Sequence, residues 1–482
     1  MRLSIILRYV GFILVANAAF MLLSVGIAFF NDMDSGFYPL LLSFFITATV
    51  GVFPLIFIPA DSYISMREMY AIVVFSWSAC CLIGMLPYIL WGGEFTITNA
   101  WFESVSGYTT TGSTILTDIE ALPNSLLFFR SSTHWMGGIG VVLFAMLIAP
   151  SMRLNKMRLA KVEMSTLAQD NFKFKTQETI HIILTVYIVF TVVCFLLLWL
   201  AGMNAFDSVN HAFSTVATGG FSTKNISIAA FGENVWIQLV IIVFMFFSGI
   251  HFGLIYSAIV KRSTALFRSP IIRYYFFSVL SGIAIVSLYL WLSKTYPTFG
   301  ESLLHGAFQL VSMVTTTGYA TADSAVWPAL VMLVLMFFMF QGATTGSTVG
   351  GVKVDRIVIF FKSIKAQVRK QQHPNAIVPV KVGQTTIDDD IAYSVSLFIL
   401  LYIFIIFAGT ILLAVMGIDL MSSFSASLAS VSNVGPGFGF YGSLDNYSLL
   451  PLAGKLLLTV LMIIGRLEIY GLILLFFVRS WR

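Results

Sequence analysis

Four short loops rich in threonine and glycine have the composition of a cation-binding backbone. Aligned without gaps, they occupy residues 106–112, 214–220, 312–318 and 429–435. Their last glycines are 108, 98 and 117 residues apart, which indicates one structural unit used four times. Glycine permits the positive φ that an extended loop needs to turn its carbonyls to one side. The candidate cation-coordinating residues are Thr110, Thr111, Gly112, Thr218, Gly219, Gly220, Thr316, Thr317, Gly318, Asn433, Val434 and Gly435.

Two of the loops depart from the common pattern. The second loop has adjacent glycines, and the alignment uses Gly220 because it precedes Phe221 and lies six residues after Ser214. The fourth loop has Asn433 and Val434 where the first and third have threonines. This difference predicts weaker or differently shaped coordination in the fourth loop.

A short, semi-apolar segment leads into each loop. The segments 99–111, 207–219, 302–317 and 419–434 are too short or too polar to cross a bilayer. Each predicts a helix of about ten residues whose carboxyl end, with about −0.5 of an elementary charge, favours a cation. The predicted N-capping residues are Asn99, Asp207, Ser302 and Asp419.

The composition places these elements in a membrane. The chain has 482 residues, of which 58% are hydrophobic and 10% are charged, whereas soluble domains carry about 25% charged residues. A cytosolic enzyme, a nucleic-acid-binding module and a disordered chain are therefore excluded. Cys80, Cys81 and Cys194 lie in apolar runs without metal-site spacing, so neither a disulfide nor a cofactor is expected. No cleavable signal peptide is predicted.

Ten stretches are apolar over the roughly 20 residues that a spanning helix needs. They lie at 9–30, 37–60, 70–91, 126–150, 181–202, 235–260, 275–293, 327–352, 391–418 and 450–478. The clusters of lysine and arginine share one face only if the four short segments are re-entrant. The sequence therefore predicts an all-α polytopic protein with about ten transmembrane helices, four re-entrant pore helices and cytoplasmic termini. Acidic residues, among them Asp323 and Asp445, fall on the opposite face.

The repeated unit organises most of the chain. Non-helical backbone is tolerated at membrane depth only where it is buried or lines an aqueous path, so four such loops predict a carbonyl-lined filter. The alternative, a polar turn between helices, explains one copy better than four in register. The predicted divisions are an N-terminal two-helix hairpin (1–69) and four pseudo-symmetric helix–pore loop–helix repeats around one pore: 70–150, 151–274, 275–389 and 390–482.

The eighth predicted span contains a candidate gate. Four glycines within ten residues (Gly342, Gly346, Gly350 and Gly351) should break its helix. The segment 343–348 nearly repeats the first loop, but no pore helix precedes it, which predicts an interrupted helix rather than a fifth filter loop.

Arg466 lies in the last apolar stretch, where a charge costs about 2.5–3.5 kcal/mol. It is predicted to face a water-filled cavity and control conduction; the alternative is a structural ion pair. Glu468 is two residues away on a different helix face and is therefore expected to be a poor partner.

Three further polar residues lie near the loops. Glu103, in the first pore helix, either tunes the field at the filter or makes a hydrogen bond behind it. Arg130 is expected to anchor at lipid headgroups near the outer face. His134 flanks a membrane segment without ligand spacing, which favours packing or hydrogen bonding over metal binding.

The whole pattern resembles the TrkH/KtrB/HKT superfamily of potassium transporters, and most closely its bacterial TrkH branch. The four loops, the run at 134–140 and the segment containing Gly465, Arg466 and Glu468 carry the resemblance. It implies gated, channel-like K⁺ uptake across a bacterial inner membrane, with filter glycines at Gly112, Gly220, Gly318 and Gly435. Since a serine at the first position goes with Na⁺ permeation in this family, Gly112 implies a preference for K⁺. The gate is implied at 342–351 and Arg466.

The resemblance also implies partners, namely a second copy of the chain and a cytosolic ring of nucleotide-binding regulatory subunits. The basic segment 352–389 is suited to docking such a protein, or to attracting anionic lipid. No nucleic acid is expected as a partner.

The predicted function is a K⁺-selective pore, and the alternative is a K⁺ symporter driven by H⁺ or Na⁺. An intramembrane enzyme is disfavoured because no span contains a nucleophile or metal-binding motif.

Overall fold

Apolar runs fold as helices here because a bilayer supplies no hydrogen-bond partners for exposed backbone groups. The computed structural model describes residues 2–59, 66–147, 176–232 and 234–469. Within these ranges the strands are β1 (Val380–Val382) and β2 (Thr385–Ile387), paired antiparallel with Val380 opposite Ile387. The helices are α1 (Leu3–Phe30), α2 (Phe37–Phe57), α3 (Met66–Gly84), α4 (Leu86–Trp91), α5 (Ile97–Tyr108), α6 (Asn124–Leu147), α7 (Thr176–Leu200), α8 (Ala205–Val216), α9 (Val235–Ser248), α10 (Phe252–Ile259), α11 (Ala265–Arg268), α12 (Pro270–Leu292), α13 (Phe299–Val314), α14 (Ala329–Gln341), α15 (Val354–Gln372), α16 (Asp389–Val415), α17 (Leu420–Ser432) and α18 (Leu452–Arg466).

Several helices are long and apolar enough to cross a bilayer. Among the described residues these are α1, α2, the segment Glu68–Trp91, His181–Leu200 within α7, α12 and α16. The protein is therefore a helical polytopic membrane protein, while the total of ten spans stays a prediction. The basic residues predicted at 151–175 and the end of the last predicted span, beyond residue 469, lie outside the described residues.

The four short helices lie in the interior of the protein. Every residue of α17 from Ser425 to Ser432 is buried, and so is every residue of α13 from Phe308 to Val314. By contrast, α2 has only four buried residues and exposes Phe45 and Phe53. Large apolar patches on a surface indicate contact with a membrane or a partner, so the polar, glycine-rich elements lie inside an apolar shell.

Three of the four predicted N-capping residues are wrong. The side chains that cap α5, α8 and α13 belong to Thr96, Asn204 and Thr298, and only Asp419 caps its helix as predicted. Asn99 and Asp207 instead lie in the first turn, three residues after the cap. Both positions favour polar residues in a capping arrangement, so residue type alone does not separate them.

Two of the predicted spans are not continuous helices. The sixth, over 235–260, is bent by 105° between α9 and α10, a break that its apolar run did not predict. Two hydrogen bonds satisfy backbone groups at the bend: Gly253 N donates to His251 Nδ1 at 3.0 Å, and Thr344 N donates to Gly249 O at 3.0 Å. The predicted interruption of the eighth span is present between α14 and α15.

Candidate ion filter and gate

The four short helices that lead into the loops, α5, α8, α13 and α17, end in the same backbone motif. The residue after each last turn is left-handed: Thr110, Thr218, Thr316 and Asn433 have φ of 51°, 54°, 50° and 55°. The following N–H donates to the carbonyl five residues earlier, at 2.9, 2.8, 2.9 and 2.9 Å in chain order. This is the Schellman ending, which satisfies carbonyls at a helix terminus and turns the chain away from the helix axis.

A glycine with positive φ stands two residues further along each loop. Gly112, Gly220, Gly318 and Gly435 have φ of 84°, 86°, 79° and 97°, whereas Gly219 is not among the residues with positive φ. The geometry of the second loop therefore agrees with the alignment that uses Gly220. Alternation of φ sign within three residues turns successive carbonyls of each loop and explains the requirement for glycine.

The four glycines form a closed ring. An ideal Cβ on any of them would lie closer than 3.0 Å to a carbonyl oxygen of the next loop, which no real Cβ tolerates. The pairs are Gly112 with Gly219, Gly220 with Thr317, Gly318 with Val434, and Gly435 with Thr111. Each loop thus contacts the next, and the fourth returns to the first. The structure brings all twelve sequence-predicted filter residues together in this ring.

The left-handed threonines carry strain and make contacts on one side of the ring. A β-branched residue with positive φ is an outlier whose conformation costs about 1–3 kcal/mol. Thr316 Oγ1 accepts a hydrogen bond from Gly350 N at 2.9 Å, and Thr218 Oγ1 donates to Thr348 Oγ1 at 3.2 Å. Asn433 adopts the same φ at lower cost, and its Nδ2 donates to Thr111 Oγ1 at 3.0 Å and to Met462 O at 2.9 Å.

The segment 342–353 lies directly against this side of the ring. Gly342, Gly346 and Gly351 have positive φ, and Gly350 packs against the backbone of Ser432 at the end of α17. Thr348 Oγ1 donates to Val216 O at 3.2 Å, at the end of α8. The interrupted helix therefore contacts the carboxyl ends of three pore helices.

Arg466 joins this segment to another wall of the site. Its side chain is 5% exposed, Nη1 donates to Thr348 O at 2.8 Å, and Nη2 donates to Gly137 O at 3.0 Å. Within the described ranges no carboxylate pairs with it. As expected from its position, Glu468 is not its partner.

Glu468 belongs to a second charged group at the end of the interrupted segment. Its carboxylate lies 3.5 Å from Lys353 Nζ and also pairs with Arg356 Nη2. Lys353 has φ of 78°, and the pairing holds the start of α15 against the end of α18. Sequence reasoning did not find this group, because more than 100 residues separate Glu468 from Lys353 and Arg356.

Behind the filter, the structure corrects the expectation for Arg130. This side chain is 2% exposed and cannot reach lipid headgroups; its Nε donates to Glu103 Oε1 at 2.6 Å. Glu103 has no exposed surface, and its salt bridge to Arg130 compensates its buried charge. The sequence did not identify this partner. Of the two roles considered for Glu103, the structure shows hydrogen bonding, to Thr114, Ile115 and Arg130.

His134 packs against the second loop. Its ring stacks on Phe221 with centroids 3.9 Å apart, and Nδ1 lies 2.9 Å from Ser214 Oγ. An ideal Cβ on Gly219 would collide with this ring. The imidazole therefore occupies the space that the side chains of Thr111 and Thr317 occupy in the first and third loops.

A ring of backbone carbonyls inside an apolar helical shell is the arrangement of a membrane protein for ion transport. The family model described as "TrkH: Cation transport protein" matches residues 41–481, and the chain belongs to that family.

Similar proteins support this family assignment. The Trk system potassium uptake protein TrkH of Salmonella typhimurium is 36% identical over 419 residues, 86% of each chain. Its counterpart from Halomonas elongata is 34% identical over 490 residues and covers both chains fully. The crystal structure of the potassium transporter TrkH from Vibrio parahaemolyticus matches with a TM-score of 0.91 and 29% identity over the full length of both chains.

Proposed function

We propose that this protein takes up K⁺ across a bacterial inner membrane through one central pore, and that the ring of four loops is its selectivity filter. The closed ring of glycine–carbonyl contacts carries the proposal. A dehydrated cation needs oxygen ligands in place of its water shell, and rings of backbone carbonyls supply them. The names of the relatives, which are potassium uptake proteins, support K⁺ as the cargo.

The pore helices add electrostatic stabilisation. Each ends at its loop, so four carboxyl-terminal dipole ends converge on the site. These partial charges favour a cation without placing a carboxylate in its path. Conduction needs binding that is favourable enough for K⁺ to enter and weak enough for it to leave.

The segment 342–353 and Arg466 form the gate in this proposal. The segment rests against the filter through Thr348 and Gly350, and Arg466 holds Thr348 from the other side. A guanidinium charge beside the ion path repels K⁺ and stabilises the closed arrangement. Opening requires the segment to leave these hydrogen bonds, for which its glycines provide the backbone freedom.

Two carboxylates that pair with cations bear on the symport alternative: Glu103 is fully buried, and Glu468 is 29% exposed. A proton-coupled or Na⁺-coupled mechanism needs a carboxylate that changes partner during transport. Glu103 is bound to Arg130, and Glu468 to Lys353 and Arg356. Both are held by cations, which counts against either of them as that carboxylate.

Four repeats supply the loops of the ring, and the sequence resemblance implies the partners of the chain. The repeats 70–150, 151–274, 275–389 and 390–482 each supply one loop to the ring, and 1–69 forms the additional hairpin. Helix α15 and the β-hairpin carry much of the basic segment 352–389, which is suited to a cytosolic regulatory ring or to anionic lipid. The termini lie in the cytoplasm, and two copies of the chain form a dimer.

Cation flux into liposomes tests the function. The purified chain is reconstituted alone, and uptake of K⁺, Rb⁺, Cs⁺ and Na⁺ is compared without a proton or sodium gradient. We expect passive K⁺ and Rb⁺ flux above Na⁺ flux. Flux that appears only after a proton or sodium gradient is added would instead establish the symporter.

A further inference from the structure

The buried carboxylate of Glu103 holds the segment that follows Gly112. It accepts hydrogen bonds from Thr114 Oγ1 at 3.0 Å and from Ile115 N at 3.1 Å. Its third partner is Arg130 Nε at 2.6 Å. The exit of the first loop is thus fixed from behind by an ion that has no contact with solvent.

Arg130 continues this connection into the second loop. Its Nη1 donates to Ser222 O at 3.0 Å, and its guanidinium carbon lies 3.5 Å from the centre of the Phe221 ring. Both residues directly follow Gly220. A continuous chain of contacts therefore runs from the exit of loop one, through Glu103 and Arg130, to the exit of loop two.

The equivalent positions of the other repeats are neutral or apolar. The residue nine positions before each filter glycine is Glu103, His211, Gln309 and Ala426 in chain order. His211 Nε2 lies 2.9 Å from Ser222 Oγ, and Gln309 Nε2 donates to Ala322 O at 2.7 Å. In the fourth repeat the neighbouring Ser425 takes this role, because its Oγ accepts from Phe438 N at 2.8 Å. Each loop exit is thus bonded within four residues of its glycine, and in the first loop the bonding group belongs to a salt bridge.

We propose that Glu103 and Arg130 are a positioning pair that sets the spacing of the first two filter loops and thereby the discrimination between K⁺ and Na⁺. The inference rests on the proposed filter function. Replacing a buried ion pair with apolar residues is often neutral or stabilising, so stability alone does not explain this one. Its hydrogen bonds are directional, and they hold Gly112 in contact with the carbonyl of Gly219, where the spacing of coordinating oxygens is decided.

The test uses Glu103→Gln in the full chain, which keeps the shape of the side chain and removes its charge. Proteoliposomes carrying K⁺ on one side and Na⁺ on the other give the permeability ratio from the reversal potential. We expect the K⁺/Na⁺ ratio to fall at least about fivefold. Glu301→Gln removes one exposed acid near the start of α13, far in sequence from these loops, and is expected to keep the wild-type ratio.

A second pair of variants separates positioning from stability. Glu103→Gln leaves Arg130 buried without its counter-charge, so the thermal midpoint should fall; Glu103→Gln with Arg130→Met should recover it. The ratio should stay low in the double variant, because the connection between the loops is still absent. Recovery of both the midpoint and the ratio would show a merely structural role and overturn the proposal.

Thr114→Val removes one hydrogen bond to the carboxylate and keeps both charges. It should lower the K⁺/Na⁺ ratio less than Glu103→Gln does. If Glu103→Gln does not reach the membrane, Thr114→Val replaces it as the test of the positioning pair. A wild-type ratio in every folded variant would overturn the proposal that Glu103 and Arg130 position the two loops. The wild-type ratio is measured first, with and without a proton gradient; absent K⁺ preference there would instead refute the proposed filter.

Discussion

Replacing Gly112 with serine perturbs the ring at a single contact. A Cβ at this position would lie closer than 3.0 Å to the carbonyl oxygen of Gly219, and that oxygen must recede by roughly 0.8 Å to reach the nearest distance that real Cβ atoms show. The φ of 84° adds a conformational cost, since a residue other than glycine in such a region costs about 1–3 kcal/mol. The cheapest relaxation is separation of the first and second loops.

That separation moves one carbonyl out of the coordinating ring. Selectivity depends on the size of the site and on the number and field of its oxygens, and a loss of about 1.4 kcal/mol in discrimination is already tenfold in the permeability ratio. We expect Gly112→Ser to lower the K⁺/Na⁺ ratio at least about tenfold, measured from bi-ionic reversal potentials in proteoliposomes.

Gly92→Ser is the matched control. Gly92 has the same φ of 84°, but no atom lies within 4 Å of an ideal Cβ there. This variant carries the backbone strain without the collision, and its ratio should equal that of the wild type. If Gly112→Ser also keeps the wild-type ratio, the assignment of the glycine ring as the selectivity filter is wrong.

Two further predictions concern the gate and the acidic residues on the face opposite the basic clusters. Arg466→Gln removes the charge and weakens the hydrogen bonds to Thr348 O and Gly137 O; passive K⁺ flux of the isolated chain should rise several-fold, and unchanged flux would argue against the gate. Partial burial and the neighbouring negative charge of Asp323 raise the pKa of Asp445 above its ordinary value. Its carboxylate is therefore neutralised at a higher pH than an ordinary aspartate as the external pH falls. Because negative charge on this face raises the local concentration of cations, K⁺ flux should decline toward acid pH. Asp445→Asn should flatten that decline, and a pH profile identical to the wild type would exclude this residue.

The repeated loops were predictable because their chemistry is local. A left-handed residue followed two positions later by a glycine of positive φ is a requirement on single backbone positions, and it leaves a mark in the sequence at each copy. The break before Val354 was likewise readable, because glycines at this density cannot sustain a helix. The functional assignment of both elements stays a prediction that the flux experiments decide.

Other local features were ambiguous. The helix caps were misplaced by one turn at Thr96, Asn204 and Thr298, since polar residues suit both ends of a capping arrangement. The bend at Gly249 was missed because an apolar run of that length also suits a straight span, and its partner, Thr344, is 95 residues away.

The sequence by itself determined the membrane class and the glycines that the four loops require, since apolar content and backbone conformation depend on consecutive residues. Only the tertiary structure decided where the buried charges go. Arg130 was expected at the lipid surface and lies instead against Glu103 and Phe221, and Glu468 pairs with Lys353 and Arg356 from another part of the chain. A buried charge needs compensation, from a counter-ion as for Glu103 or from backbone carbonyls as for Arg466. Which groups it meets depends on the packing of helices far apart in sequence.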